Sequence, residues 1–295
     1  MKTVDPLIAT FSIVARDPET GDLAVATASK FLAVGAYVPT ARAGVGAIAS
    51  QSHVNTTYGE RTLKLLQEGK SPEDIAREFE ATDDEYGLRQ FGIVSADGSS
   101  FTHTGPGCHA WAGGVNGPDF AAQGNILTGP DVVDALVDTM NNSDLPFPER
   151  LVAALQAAED KGGDRRGRQS AALLVVGENK GYGGLTDRWI DLRVDDHPDP
   201  IPELKRILEL HRLFLDNPAD EPRDLSGADI AWLQQVLERE GYLEAAAAEA
   251  GTWNDATEQA LKGLYGVENL EQRWVDGPRI DPVAWTRLQN VFGGD

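Results

Sequence analysis

Thr10 opens an apolar run that continues to Ala15, and it follows the small residue Ala9. A threonine at a chain terminus is a self-contained catalyst, because its own α-amine, with a pKa of roughly 7.7 to 8, can take the proton of its hydroxyl. Thr10 is therefore a candidate nucleophile that cleavage of the Ala9–Thr10 bond would expose. Threonine is also common in strands, and on the residues alone a structural role is the commoner explanation.

Two further polar groups, Ser29 and Lys30, end the next apolar run, which begins at Leu23. A hydroxyl and an ammonium are thus placed together at a strand end, where Lys30 could tune a nucleophile or bind a carboxylate. The ordinary alternative is a solvated lysine in a turn.

Polar side chains also gather after the small-residue strand Gly44 to Gln51. Gln51, His53 and Asn55 stand there at alternate positions, and strand ends and loops often carry binding groups. We predict that these three residues line the rim of a substrate pocket. A single histidine without a placed partner is more often a hydrogen-bonded loop residue than a base.

The densest cluster of reactive residue types runs from His103 to Gly114 and is followed by Gln123, Gly124 and Asn125. Its glycines let backbone amides approach a ligand closely, so we assign His103 and Cys108 to substrate binding. Asn125 could donate its side-chain amide to a developing oxyanion, a contact worth about 2.7 to 4 kcal/mol in such sites.

Two alternatives for this cluster rank below the amide role. One is a catalytic Cys108 paired with a histidine, and the other is a metal site built from His53, His103 and His109. A cysteine beside tryptophan and alanine is as readily a buried small hydrophobe, and no acidic ligand stands at a diagnostic spacing from the histidines. We therefore expect no metal and no cofactor.

The elements that must position these residues alternate in an informative order. Hairpin strands come first, then paired helices, then strands again, which is not the βαβ alternation of a doubly wound sheet. The pattern predicts an α+β layered sandwich. The predicted strands are Leu7 to Arg16, Leu23 to Ser29, Gly44 to Gln51, Gln90 to Ser95, Ser100 to Thr104, Phe120 to Leu127, Ser170 to Val176 and Trp189 to Val194; the predicted helices include Tyr58 to Glu68, one capped by Ser71, Pro130 to Met140 and Pro148 to Asp160.

Charge and composition exclude several classes of partner. The formal net charge of -21, from 47 acidic against 26 basic residues, repels phosphate backbones and argues against nucleic acid. A single cysteine rules out an intrachain disulfide. No apolar stretch reaches the roughly 18 to 20 residues that cross a bilayer, and the first residues lack the apolar run of a secretory signal, so we expect no membrane association and a cytoplasmic protein.

Several segments resemble, in order, a bacterial domain-of-unknown-function family, family 1028, with an N-terminal nucleophile hydrolase-like fold. They are Thr10 to Gly21, Val34-Gly35, Pro39, Arg42 to Ala47, Ala122 to Leu127 and Arg168 to Val175. The resemblance extends from about Leu7 to Leu215 and implies a four-layer αββα sandwich. By analogy with that superfamily, it also implies hydrolysis of an amide-type bond by the residue that starts the first strand.

This chain departs from the family pattern at its beginning. Relatives start almost directly at the Thr-Phe-Ser segment, whereas nine residues precede Thr10 here. Either the Ala9–Thr10 bond must be cleaved, or the fold serves another purpose.

A break rich in proline and acidic residues, Asp216 to Pro222, predicts two domains, 1–216 and 217–295. The second resembles a peptidoglycan-binding module through Asp229 to Leu237, Glu240-Gly241-Tyr242, Gly251-Thr252-Trp253, Thr257 to Leu261 and Trp285 to Leu288. Three short helices with one small core account for the same residues, which predicts a small all-α domain. A helical tail that supports a dimer is the alternative to glycan binding.

Taken together, the residues and the resemblance predict an amidohydrolase-like enzyme that acts on a small or peptide-like amide. Thr10 is the nucleophile, Ser29 and Lys30 are its neighbours, and Asn125 is the oxyanion donor. The alternative is a non-catalytic protein that binds a ligand or peptidoglycan on a hydrolase-like scaffold. We also expect a homo-oligomer, associating through the helix that contains Leu204 to Leu215.

Overall fold

The computed structural model describes residues 7–8, 10–217, 219 and 221–293. Its internal contacts divide the chain into two compact units, Met1–Leu208 and Glu209–Asp295. The division falls inside a helix, Pro200–Leu215, and so lies N-terminal to the expected boundary at residue 216. Ala9, on one side of the expected cleavage point, lies outside the described residues, as do Pro218 and Asp220 of the proline-acid break.

The first unit consists of strands and paired helices, and two of its strands, Pro39–Arg42 and Gly113–Gly117, are not predicted by the sequence. Its last helix, Pro200–Leu215, continues into the second unit. The elements are β1 (Leu7–Ile8), β2 (Phe11–Arg16), β3 (Leu23–Ser29), β4 (Pro39–Arg42), β5 (Gly46–His53), α1 (Tyr58–Gln67), α2 (Pro72–Thr82), β6 (Arg89–Ser95), β7 (Ser100–Thr104), β8 (Gly113–Gly117), β9 (Phe120–Gly124), α3 (Asp131–Asn142), α4 (Phe147–Asp160), β10 (Ser170–Val176), β11 (Arg188–Val194) and α5 (Pro200–Leu215).

These strands form two antiparallel sheets that face each other. The first sheet has the order β1-β5-β6-β7, with β4 also paired to β5, and the second has the order β11-β10-β3-β2-β9-β8. Strands β2, β3 and β9 of the second sheet contact β5 and β6 of the first. Helices α1 and α2 cover the outer face of the first sheet, and α3 and α4 cover that of the second. The unit is therefore a four-layer αββα sandwich, and the predicted α+β class is confirmed.

Alternation along β2 decides which side chains enter which layer, because successive residues of a strand point to opposite faces. Phe11, Ile13 and Ala15 belong to the apolar cluster beneath α3 and α4. Val14 belongs instead to the cluster between the two sheets. Ser12 lies on this inner face as well, and its hydroxyl reaches across to the first sheet.

The predicted strand Leu7 to Arg16 is two strands in different sheets. Leu7–Ile8 pairs with β5 in the first sheet, whereas Phe11 begins β2 in the second. The chain therefore crosses from one sheet to the other between Ile8 and Phe11, and Thr10 lies at the crossing. The predicted strand Phe120 to Leu127 is also shorter, ending at Gly124, because Ile126 has a left-handed backbone with φ 52°.

Local capping explains why the helix after α1 begins where it does. The hydroxyl of Ser71 accepts a 3.2 Å hydrogen bond from the backbone N–H of Asp74, and Pro72 occupies the first helical position. Both features are those that the sequence predicts.

The second unit is a small helical domain. It contains β12 (Arg223–Asp224), α6 (Gly227–Arg239), α7 (Asp255–Glu268), β13 (Arg279–Ile280) and α8 (Pro282–Phe292). The three helices enclose one apolar cluster that includes Leu233, Leu261 and Leu288, which confirms the predicted C-terminal helical domain. No helix within the described parts of the chain is long and apolar enough to span a bilayer.

Candidate active site

Thr10 is fully buried at the crossing between the sheets. Its hydroxyl Oγ1 has no hydrogen-bond partner among the residues that the structure describes. Buried polar side-chain atoms nearly always have a partner, because leaving one unpaired costs about 1 to 3 kcal/mol. Packing alone therefore does not explain why this hydroxyl, a group that can act as a nucleophile, has no partner in the described structure.

The backbone of Thr10 is held from both sheets. Its carbonyl oxygen accepts a hydrogen bond of 3.0 Å from the backbone N–H of Asn125, which follows β9 of the second sheet. The same oxygen accepts a 3.2 Å bond from Nε2 of Gln51, which lies on β5 of the first sheet. The residue is thus fixed in position while its hydroxyl is left without a bond in the described structure.

A network of uncharged side chains surrounds the Thr10 carbonyl group, and all of the residues in this network are fully buried. Gln51 donates to Oε1 of Gln90 at 2.9 Å and accepts from the hydroxyl of Ser12 at 2.7 Å. Gln123 donates to that hydroxyl oxygen at 2.7 Å. Asn125 Nδ2 donates to Oε1 of Gln90 at 2.9 Å, so the predicted oxyanion donor belongs to the same network. Buried amide networks of this kind specify one arrangement of their side chains.

Two residues with a strained backbone lie next to the groups that bind the Thr10 carbonyl oxygen. Ser52 follows Gln51 with φ 67°, and Ile126 follows Asn125 with φ 52°. A left-handed backbone costs an L-residue about 1 to 2 kcal/mol, and a β-branched residue rarely adopts it. Such strain persists only where the surroundings enforce it, and it clusters at functional sites. Both groups that hold the Thr10 carbonyl are therefore immediately followed by a locally unfavourable backbone.

Ser29 and Lys30 lie at the same end of the second sheet as Thr10. Phe11 pairs with Ala28, so Ser29 stands beside Thr10 on the neighbouring strand, and it is buried. The backbone N–H of Lys30 donates to Asp164 at 2.9 Å, and its ammonium donates to the carbonyl oxygen of Arg168 at 3.2 Å. The structure thus brings Ser29 to the candidate nucleophile, whereas the Lys30 ammonium lies at the surface.

Of the predicted substrate-binding residues, Gln51 and His53 lie on β5, in the part of that strand that is next to β1. The ring nitrogen Nδ1 of His53 is buried and has no partner in the described structure. The ring of His53 stacks against that of His109, with centroids 6.1 Å apart. Gln51 thus contacts Thr10 directly, whereas the ring contact of His53 is with His109.

Asn55 has a different set of partners. It donates to Asp83 at 3.1 Å, and Asp83 also accepts from Tyr58 at 2.8 Å and from Arg89 at 3.0 Å. Burial favours the neutral form of Asp83, but the hydrogen bonds from Arg89, Tyr58 and Asn55 outweigh it and hold the pKa of the carboxyl well below its usual range. These contacts tie the start of α1 to the end of α2.

His103 and Cys108 lie near the segment that leads into β6. His103 stacks on Tyr86 with centroids 3.9 Å apart, and burial lowers its pKa. The Cys108 thiol contacts the carbonyl oxygens of Leu88 and Arg89, at 3.6 and 3.4 Å. Burial raises the pKa of that thiol. Within the described chain, no group of three or more His, Cys, Asp or Glu side chains is placed to hold a metal ion.

The sequence analysis missed three residues of the site, Ser12, Gln90 and Asp164, and it gave no role to Gln123. The available signal is a polar side chain on the face of a buried strand that otherwise carries only small or apolar residues. The buried Asp164 holds the backbone of Lys30 from a loop far along the chain, which no local pattern indicates.

One groove on the surface of the first unit lies away from Thr10. It has a volume of about 630 Å³ and is lined by residues of the α1–α2 and β6–β7 turns, among them Lys70, Ser71 and Asp97. None of the predicted site residues lines it.

Comparison with known proteins finds one family match in each of the two units of the chain. Residues 10–204 match the model of a family of unknown function, DUF1028, and the chain belongs to that family. Residues 213–287 match the family described as "Putative peptidoglycan binding domain". A crystal structure of a protein from Silicibacter pomeroyi, of the same family of unknown function, is 33% identical; the match covers 69% of this chain and 89% of that one, with a TM-score of 0.63. No protein of curated function matches.

The family match begins at Thr10. The part of the chain that this family shares therefore starts with the candidate nucleophile, and the residues before it are outside the match.

Proposed function

We propose that the first unit is an amide-bond hydrolase that uses Thr10 as an N-terminal nucleophile once the Ala9–Thr10 bond has been cleaved. The observation that carries the proposal is the Thr10 hydroxyl at the crossing between two facing sheets, which is fully buried and has no partner among the residues that the structure describes. The αββα layering supports it, because this architecture resembles that of N-terminal nucleophile hydrolases. Fold likeness alone does not define activity, so the argument rests on the site.

The first step of the proposal is self-cleavage. The hydroxyl oxygen of Thr10 attacks the carbonyl carbon of Ala9, and the bond from that carbon to the Thr10 nitrogen breaks. The hydroxyl proton passes to the departing amine, which leaves an ester between Ala9 and Thr10. Water then hydrolyses the ester, and the products are the Ala9 carboxylate and a Thr10 with a free hydroxyl and a free α-amine.

The second step is turnover of a substrate amide by the same groups. The Thr10 α-amine takes the hydroxyl proton as the oxygen attacks, and it returns this proton to the leaving amine. We assign the stabilisation of the oxyanion to the carboxamide nitrogen of Asn125, and its hydrogen bond to Gln90 supports this role because it fixes the orientation of the amide. Ser29 stands beside the amine on β3, and Lys30 contributes positive charge at the strand end. Gln51, His53, Asn55, His103 and Cys108 remain the proposed substrate-binding residues.

The proposal is tested by following the N-terminus of the purified full chain over time. Intact mass and N-terminal sequencing should show loss of the first nine residues and a new terminus at Thr10. Thr10→Ser should still cleave, because it keeps a hydroxyl, and Thr10→Ala should not. Thr3→Ala, in the segment that leaves, serves as the matched control and should cleave like the wild type. A full-length chain that stays intact under all conditions tried would falsify the mechanism.

A second function, peptidoglycan binding by the second unit, is supported by the family match over residues 213–287. Half-buried aromatic side chains, Trp232 and Tyr242 among them, pack at the border of its core and offer partly exposed rings to a sugar. Purified peptidoglycan should retain the full chain, and Tyr242→Ala should weaken retention. If the chain passes through unretained, the peptidoglycan role fails while the hydrolase proposal stands.

A further inference from the structure

The short strand β1 stands just before Thr10 in the chain and pairs with one edge of β5. Leu7 pairs with His53 and Ile8 pairs with Ser52, both antiparallel. Strand β4 pairs with the same strand at residues 46–49, further from Thr10, and β6 occupies the opposite edge. Among the described residues, the edge of β5 at Ser52 and His53 is therefore paired by β1.

Cleavage at Thr10 changes what this edge can bind. Strand β1 belongs to the part of the chain that cleavage separates from β2, and its departure would leave backbone N–H and C=O groups of β5 without partners. An unpaired strand edge is a ready template for another extended chain. Recognition by strand addition takes its affinity from main-chain hydrogen bonds, so it suits peptides.

The geometry of β1 indicates how such a peptide would lie. Ile8 pairs with Ser52 and stands two residues before Thr10. A peptide bound in this register has one more residue after its paired strand, and the carbonyl carbon of that residue is the one that Thr10 attacks. In the uncleaved chain that residue is Ala9. Residues 7–9 therefore have the same order as the acyl part of such a substrate: a paired strand comes first, then one residue, then the scissile bond.

We propose that the edge of β5 at Ser52 and His53 binds the acyl part of a peptide substrate as an antiparallel strand, with its scissile carbonyl at Thr10, and that β1 occupies this site in the uncleaved chain. The inference rests on the proposed function and names its substrate class: a peptide that has a small residue at the scissile carbonyl, preceded by apolar residues, as in Leu7-Ile8-Ala9. The peptide bond after the small residue breaks, its acyl group passes to Thr10 Oγ1, and water releases it as a carboxylate.

His53 adds a contact at the same edge. Its backbone carbonyl oxygen accepts a 2.7 Å hydrogen bond from Arg89, which fixes the end of β5. Its buried Nδ1 has no partner among the described residues.

The test uses the full chain after it has cleaved itself, as verified by a Thr10 N-terminus. The substrate is acetyl-Pro-Leu-Ile-Ala coupled through its carboxyl group to a fluorogenic aminocoumarin, which copies residues 6–9 of the chain. We expect release of the aminocoumarin by the cleaved wild type and none by Thr10→Ala.

Two N-methylated forms of this peptide form the matched pair, one methylated on the leucine nitrogen and one on the isoleucine nitrogen. In an antiparallel ladder, neighbouring residues point their N–H groups to opposite sides, so only one of the two can bond to β5. One methylation should slow hydrolysis by about tenfold or more, since it removes a main-chain bond and adds bulk at the pairing edge, and the other should change it by less than about threefold.

The outcomes separate the inference from the function on which it rests. A chain that cleaves itself but does not hydrolyse the peptide, or that treats both methylated peptides alike, overturns strand addition and leaves the Thr10 nucleophile in place. A chain that never exposes Thr10 overturns the proposed function and the inference with it.

Discussion

The side-chain amide of Gln51 donates a 3.2 Å hydrogen bond to the carbonyl oxygen of Thr10. Gln51 belongs to one sheet, whereas Thr10 leads into the other, so this bond connects the two halves of the sandwich at the candidate nucleophile. No ionisable group takes part in it or in the bonds that Gln51 makes with Ser12 and Gln90. We therefore expect the position of Thr10 to stay constant over the pH range in which a terminal amine titrates.

The first prediction concerns the stability that Gln51 provides. Gln51→Met keeps the length of the side chain but removes its hydrogen bonds with Ser12, Thr10 and Gln90. At about 1 kcal/mol for each buried bond, the free energy of unfolding should fall by about 3 kcal/mol in urea denaturation. Gln67→Met is the matched control, since the side chain of Gln67 is exposed and accepts its bond from Arg42 at the surface, and its effect should stay below about 0.5 kcal/mol. A loss below about 1 kcal/mol for Gln51→Met would mean that the network is dispensable.

The second prediction separates a functional threonine from a structural one. Thr10→Val replaces the unpartnered buried hydroxyl by a methyl group of similar size, so the uncleaved chain should become about 1 kcal/mol more stable. Thr27→Val is the control at an equally buried position, where the hydroxyl donates a 3.4 Å bond to the carbonyl oxygen of Phe11, and it should lower stability. Denaturation of both variants against wild type of verified full-length mass decides the matter. Equal destabilisation by the two substitutions would show that Thr10 is an ordinary strand residue.

Much of the fold follows from local patterns in the sequence. The apolar runs that contain β2 and β3 and the cap at Ser71 predict elements that the structure contains. Each of these depends on residues close together in the chain, where period and capping chemistry suffice.

What the sequence does not predict depends on contacts between distant segments. Nothing in Leu7 to Arg16 shows that its first residues join a different sheet from its last, because pairing with β5 is decided by residues more than forty positions away. Gln90 and Gln123 likewise look like isolated polar residues in apolar strands, and only the facing of the two sheets turns them into one network with Ser12. Strand β8 lies in the glycine-rich stretch Gly105 to Gly117, whose composition favours a loop.

The third prediction uses the lowered pKa of Asp83. Asp83→Asn removes the charge that Arg89 and Tyr58 stabilise, and charged hydrogen bonds of this kind are worth about 2 to 3 kcal/mol of unfolding free energy. Because the folded-state pKa lies below the ordinary value of 3.8, the advantage of the wild type is fully present above that value. It should shrink as the pH falls below 3.8 towards the folded-state pKa.

Urea denaturation of both proteins at several pH values between 2 and 7 measures this difference. Asp84→Asn changes the same charge at the exposed neighbouring position and should leave stability within about 0.5 kcal/mol of wild type. A gap between wild type and Asp83→Asn that is independent of pH would assign the effect to packing instead of to the charge.

The fourth prediction tests the competing nucleophile, Cys108. Burial raises the pKa of its thiol, and a nucleophilic cysteine requires a lowered one, because the thiolate is the reactive form. Iodoacetamide at pH 8 should therefore alkylate Cys108 in the native chain at least about tenfold more slowly than in the chain unfolded in urea, as followed by intact mass. The unfolded chain is its own control, since Cys108 is the single cysteine. Faster alkylation in the native state would instead indicate an activated thiol and would favour a cysteine nucleophile over Thr10.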